Sequence, residues 1–163
     1  MNQHLAVHII AAKGAVDVPT YGEVWSLNSR YKDHPQDGDR WWRWDRWFDL
    51  HARRHFETDL GNPDHIAWLE ANGAYVRPDS GIAGQPFPTY ELLAKHGPVF
   101  TNSLAWLLGY AHMLGAAHVS LLTGDVRNIE SKDDYSSVWW WLGKLKAEGV
   151  SIHAPYWYLG AYG

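Results

Sequence analysis

The chain has 163 residues, of which 46% are hydrophobic and 20% charged, which predicts one globular domain over residues 1–163 and excludes a disordered protein. It contains no cysteine, which excludes disulfides, thiolate catalysis and cysteine-ligated metal centres. The net charge of −4 argues against duplex DNA as the main partner, because proteins that grip DNA phosphates normally carry a basic surface.

The first half of the chain predicts short buried strands separated by loops. The apolar segment Leu5–Ala12 predicts the first strand, and Glu23–Asn28 and Arg46–His51 predict the second and third. A helix is expected at His65–Gly73, where an Asn-Gly pair gives a capping signal. Residues 74–78 predict a further short strand.

The second half predicts helices with strands between them. A loop and a short helix lead to Gly97, and the almost wholly apolar segment Ser103–Ala116 predicts a deeply buried helix. His118–Asp125 predicts a buried strand that ends in Gly-Asp. Ser136–Gly149 is amphipathic and predicts the last helix, and residues 150–155 predict the last strand.

This alternation predicts a three-layer α/β fold with a mostly parallel sheet, in which ligands bind beyond the carboxyl ends of the strands. Several polar residues fall at those ends. A Thr-Asn-Ser turn also opens the apolar helix, where free backbone N–H groups favour an anion such as phosphate. The resulting ligand-binding candidates are Lys13, Gly14, Asn28, Thr101, Asn102, Ser103, Gly124 and Asp125.

Asp49 and His51 are the candidate catalytic residues. They lie two positions apart at the end of a predicted strand, which places both side chains on one face. A neutral imidazole can act as a general base, and a neighbouring carboxylate can orient it or raise its pKa. The spacing of His51 and His55 lacks the Glu of a zinc-protease motif, and an Asp-X-Asp motif is absent, so we expect no metal.

Residues 39–51, DRWWRWDRWFDLH, contain four of the chain's 11 tryptophans. Trp47 lies inside the predicted strand and is expected in the core. Trp42 and Trp44 alternate with charged residues, so we expect them to line a cleft and stack on a sugar or base.

The order EVWSLN, RWFDLH, HIAWL and FTNSLAWLLGYAHMLGAAHVSLLTGD resembles a set of small phage and bacterial proteins. These look like a minimal version of the Rossmann-like core of bacterial lipo-oligosaccharide sialyltransferases and motility-associated-factor glycosyltransferases. The best-matching block is Thr101–Asp125. The resemblance implies that the Thr101-Asn102-Ser103 turn and Asn28 contact a nucleotide.

The sequence departs from that family at two places. Its first loop reads Ala12-Lys13-Gly14-Ala15, where the family has a Gly-x-Gly-Pro-Ser type of turn. The region KDDYSSVWWWLG, where the family carries its catalytic histidine, has none. His51 or Asp49 would therefore have to supply the base.

The resemblance implies a small metal-independent glycosyltransferase-like protein that needs no cofactor and uses a nucleotide sugar. The acceptor is a hydroxyl group, and a modified base in phage DNA stays open as an acceptor despite the negative charge. A non-catalytic nucleotide-binding module is the alternative, and a structural role with tryptophans as interface anchors is a third.

No apolar run approaches the roughly 20 residues of a membrane span, and the first residues lack the features of a signal peptide. We therefore expect a cytoplasmic protein without a membrane span, in the host cytoplasm if it is phage-encoded. An oligomer stays open.

Overall fold

The computed structural model describes residues 5–10, 18–28, 43–122 and 132–154. Within those ranges the chain forms one seven-stranded sheet and four α-helices. The strands are β1 (Ala6–Ile10), β2 (Glu23–Leu27), β3 (Arg46–Asp49), β4 (Tyr75–Val76), β5 (Gln85–Pro86), β6 (His118–Leu122) and β7 (Ser151–His153). The helices are α1 (Pro63–Ala71), α2 (Thr89–His96), α3 (Ser103–Met113) and α4 (Lys132–Ala147), and a π-helical turn covers His55–Asp59.

The strands lie in the order β5-β4-β3-β2-β1-β6-β7, and every neighbouring pair is parallel. The chain builds outward from β1 to β5 and then returns to the other side of β1. In open parallel sheets such a reversal, here between β1 and β6, marks the crevice at the carboxyl edge where ligands bind. The predicted three-layer Rossmann-like α/β fold is confirmed.

Apolar side chains fill both faces of the sheet. On one face, alternate residues of the central strands, such as Val7 and Trp25, pack against α3 and α4 through residues such as Leu107 and Trp141. The opposite face of β3 packs Trp47 against α1. Burial of each large side chain contributes roughly 1.5–3 kcal/mol, so the layers are held mainly by the sheet-to-helix contacts.

The helix ends follow their capping residues. Pro63 occupies the first turn of α1, where its missing N–H costs nothing, and Gly73 follows the helix with a φ of 60°. The cap of α3 is Asn102, whose side-chain oxygen accepts the Ala105 N–H at 2.9 Å. Ser103, a ligand-binding candidate, is the first helical residue.

The structure adds two elements that the sequence did not predict. β5 has only two residues, which is too short for a periodic pattern, and it is fixed by the Gln85 N–H donated to the Ala74 carbonyl at 2.8 Å. A side chain at Gly84 would lie 2.4 Å from that carbonyl, so the close approach needs glycine. The π-helical turn after β3 is the other addition. No helix in the described ranges is long and apolar enough to cross a membrane.

Candidate active site

Asn28 and Asp49 lie at the carboxyl ends of two neighbouring strands. The pairing of Leu27 with Phe48 brings the next residues, Asn28 and Asp49, side by side on strands about 4.8 Å apart. Asn28 has a φ of 55°, a left-handed conformation that asparagine adopts more readily than most residues. Its N–H donates to the Phe48 carbonyl, and its own carbonyl accepts from Trp47 Nε1, both at 2.9 Å.

The Asp49 carboxylate joins two histidines and is fully buried, with 0% of the side chain exposed. His51 donates its Nδ1–H to Oδ1 at 2.7 Å, and its backbone N–H donates to the same oxygen at 3.1 Å. His65, on α1, donates its Nε2–H to Oδ2 at 2.8 Å. Both oxygens are therefore satisfied, as a buried charge requires. We call Asp49, His51 and His65 the carboxylate cluster.

Within the cluster, the pKa values of Asp49 and His51 are shifted in opposite directions. Burial acts to raise the pKa of Asp49, but hydrogen bonds from His51 and His65 outweigh it, so this pKa lies below its ordinary value. The hydrogen bond to Asp49 raises the pKa of His51 against the opposing effect of burial. The carboxylate therefore stays ionised and makes His51 a stronger base.

The surroundings of His51 hold its ring in one position. His55 stacks on it with ring centroids 4.7 Å apart, and Phe56 packs edge-on. The His51 side chain is 38% exposed and its Nδ1 is bonded to Asp49, so Nε2 is the nitrogen open to a ligand. The π-helical turn creates this arrangement, because it brings His55 and Phe56 back against His51.

This geometry suits general-base chemistry. A carboxylate that accepts the Nδ1–H of an imidazole fixes the tautomer in which Nε2 is free to take a proton, and it stabilises the imidazolium that forms. The arrangement can thus remove a proton from a hydroxyl or a water molecule placed against His51.

A second set of histidines crosses β1, β6 and β7 with hydroxyl partners. Ser120 Oγ lies 3.0 Å from His8 Nδ1 and 2.8 Å from His118 Nε2, and His118 Nδ1 lies 3.1 Å from Ser151 Oγ. Burial, followed by the nearby His118, lowers the pKa of His8. Burial, followed by the nearby His153, lowers the pKa of His118. We call His8, Ser120, His118 and Ser151 the hydroxyl network.

The turn that opens α3 lies at the carboxyl edge of the sheet, since α3 runs antiparallel to β6. However, α3 packs on the face opposite to α1, so the turn and the carboxylate cluster share an edge but lie on different faces. Thr101 is engaged with α4: its hydroxyl lies 2.5 Å from Ser137 Oγ, and its N–H donates to the same oxygen at 3.3 Å.

Several other candidates lie outside the residues that the structure describes, namely Lys13, Gly14, Trp42, Gly124 and Asp125. Trp47 is 1% exposed, as expected of a core residue. Trp44 is 37% exposed and precedes β3, so it lies at the amino end of that strand while Asp49 lies at the other end. Stacking of a sugar or base on Trp44 stays a prediction.

His65 is the functional candidate that sequence reasoning missed. It lies in the first turn of α1, four residues before Leu69, so both residues occupy the same buried face. A polar residue on the apolar face of a short helix was the signal, because a buried imidazole needs a partner. The partner was not predictable, since it comes from β3, 16 positions earlier.

Among the described residues, no group of three or more histidine, aspartate or glutamate side chains is arranged to hold a metal ion. In the carboxylate cluster both Asp49 oxygens already accept N–H groups.

Fold and site together define a Rossmann-like α/β protein with a histidine–carboxylate pair at the carboxyl edge of its sheet. Comparisons with protein-family models, with curated proteins and with solved structures found no match to this chain.

Proposed function

We propose that this protein is a small, metal-independent glycosyltransferase-like enzyme that binds a nucleotide sugar and transfers the sugar to an acceptor hydroxyl. His51 is the general base and Asp49 orients it. The observation that carries the proposal is the 2.7 Å hydrogen bond from Nδ1 of His51, a side chain that is 38% exposed, to a fully buried carboxylate.

His51 and Asp49 carry out one step of this reaction, the removal of a proton. His51 Nε2 takes the proton of the acceptor hydroxyl as its oxygen bonds to the anomeric carbon of the sugar. The bond between that carbon and the phosphate oxygen breaks, and the nucleotide leaves with the bonding electrons. The N-terminus of α3, at the same edge of the sheet, is the group we assign to the phosphate, because the positive end of a helix dipole favours an anion.

The charge distribution favours a small acceptor over DNA. Arg43, Arg46 and Arg53 are paired with acidic side chains, the first two with Asp45 and Glu23. Each pair reduces the positive charge that remains for a phosphate backbone. We therefore favour a small hydroxylated acceptor over a nucleic acid.

A panel of nucleotide sugars tests the proposal, with turnover measured as released nucleotide, first with water and then with simple sugar acceptors. Wild-type protein should release nucleotide from one donor, and His51→Gln should lower the rate by about 100-fold, the usual scale of a lost general base. His118→Gln is the matched control, because His118 is a partly buried histidine that bonds to serine hydroxyls and lies outside the carboxylate cluster, and it should retain most of the rate.

A non-catalytic nucleotide-binding module is the second candidate. It is favoured by Asn28, whose side-chain oxygen is buried and has no hydrogen-bond partner among the described residues, so that a ligand N–H would satisfy it. Thermal stabilisation by a nucleotide, with no turnover of any donor, would support this candidate and contradict the enzyme. No stabilisation and no turnover would contradict both.

A further inference from the structure

We propose that His65 is a positioning residue that holds the Asp49 carboxylate in place, so that His51 keeps its proton on Nδ1 and offers Nε2 to the acceptor. The inference rests on the proposed role of His51 as the base. Its structural content can nevertheless be measured on the protein without any substrate, so its failure and the failure of the proposed function are distinguishable.

The ring of His65 is enclosed by its neighbours. The residue is 1% exposed and lies in the first turn of α1, which begins at Pro63. Its ring packs edge-on against Phe56 at 4.8 Å and lies parallel to Trp68, with centroids 6.5 Å apart. An imidazole enclosed in this way presents Nε2 to Asp49 in one direction only.

His65 completes the hydrogen bonding of a charge that has no contact with water. His51 occupies Oδ1 twice, through its ring and its backbone, and His65 occupies Oδ2. Without His65, one carboxylate oxygen would be buried without a donor, and burial would then favour the neutral acid.

Neutralisation of Asp49 would change the chemistry of His51. A protonated carboxyl group no longer attracts the imidazolium, and it can donate its own proton to Nδ1. The proton of His51 would then move to Nε2, the nitrogen that has to accept one. The hydrogen bond from His65 to Asp49 therefore selects the tautomer of His51, although His65 does not contact His51.

His55 is another ionisable side chain in contact with His51. His55 stacks on its ring and donates its own Nδ1–H to Asp59 at 3.2 Å. His55 and Asp59 are therefore left unchanged in the variants, so that a change at His51 reports on His65.

The test is a ¹⁵N and ¹³C NMR measurement of histidine side chains in full-length protein, with the His51 signals assigned by their loss in His51→Gln. His65→Phe removes the donor and keeps a ring, whereas His65→Gln keeps an N–H near the position of Nε2. In wild type we expect His51 protonated on Nδ1 and His65 protonated on Nε2. In His65→Phe the pKa of His51 should fall by about one unit, with its proton partly on Nε2, and His65→Gln should restore most of the wild-type behaviour.

Two results would overturn the proposal. One is a folded His65→Phe protein in which the pKa and tautomer of His51 are unchanged. The other is a wild-type spectrum in which His65 Nε2 carries no proton, and this result decides the matter even if His65→Phe does not fold. Once a donor sugar is known, the pH profile of kcat should shift in His65→Phe and return in His65→Gln, which a merely structural role would not produce.

Discussion

The carboxylate cluster and the hydroxyl network contain the same kind of side chain under opposite electrostatic control. In the first, His51 and His65 share an ionised carboxylate, and the pKa of His51 is raised. In the second, the hydrogen-bond partners are serine hydroxyls, and burial lowers the pKa values of His8 and His118. A hydroxyl satisfies an imidazole without stabilising its charged form, whereas a carboxylate does both.

The comparison explains why only one of the two sets is a candidate active site. His51 combines a raised pKa with a side chain that is 38% exposed, which is what a base acting on a ligand needs. His8 is fully buried between strands and has no such access. The hydroxyl network links β1, β6 and β7 through the Ser120 and Ser151 hydroxyls.

The largest loss of stability should follow removal of the Trp47 indole. Trp47→Ala should lower the free energy of unfolding by about 3–5 kcal/mol, because the indole is 1% exposed and its Nε1 donates to the Asn28 carbonyl. Chemical denaturation measures this loss. Trp44→Ala is the control, and it should cost markedly less because that ring is 37% exposed. Equal losses would contradict the assignment of Trp47 to the core.

Removal of the buried Asp49 charge should cause the second-largest loss of stability. Asp49→Asn should cost about 3 kcal/mol, because three N–H groups lose a charged acceptor in a buried position. Asp59→Asn, which changes an exposed carboxylate bonded to His55, should change stability far less. A similar loss in the two variants would show that burial of Asp49 does not matter.

Substitutions in the hydroxyl network should lower stability less. Ser120→Ala should cost about 1–2 kcal/mol, because the two ring nitrogens on His8 and His118 lose a neutral partner. Ser151→Ala removes an exposed hydroxyl that contacts only His118 among these residues, and a loss below about 0.5 kcal/mol is expected. If Ser120→Ala costs more than Asp49→Asn, the contrast between the two sets is wrong.

The smallest effect is a difference in pH dependence. His51 has a raised pKa, so its stabilising contribution is present below 6.5 and is lost as the pH rises through the higher folded value. His118 has a lowered pKa, so its contribution is present above 6.5 and is lost as the pH falls. His51→Gln should therefore destabilise more at about pH 5.5 than at about pH 8.5, and His118→Gln should do the reverse. The same trend in both variants would break the comparison.

The sequence predicted the sheet well because its central strands are short, apolar and fully buried. β1, β2 and β6 were each placed within a few residues of their bounds, and α3 was predicted to be deeply buried. β5 was missed because two residues carry no periodicity, and it exists only through hydrogen bonds to β4 and its neighbours.

The site was predictable only in part. The sequence predicted Asp49 and His51 on one face of a strand that runs to His51. Instead β3 ends at Asp49, and His51 follows in a bend that brings its ring to the carboxylate. Their hydrogen bond to α1 and the stacking by His55 depend on how the helix and the π-helical turn pack on β3, which no local pattern encodes. For the same reason, the sequence did not distinguish His65, which bonds to a carboxylate, from His118, which bonds to hydroxyls.

An NMR titration of His51, His8 and His118 in the wild-type protein tests the central claim most directly. The carboxylate partner should place the pKa of His51 above the ordinary value of 6.5, and the pKa values of His8 and His118 should lie below it. A His51 that titrates at or below 6.5 would contradict the claim that Asp49 makes this histidine the base of an active site.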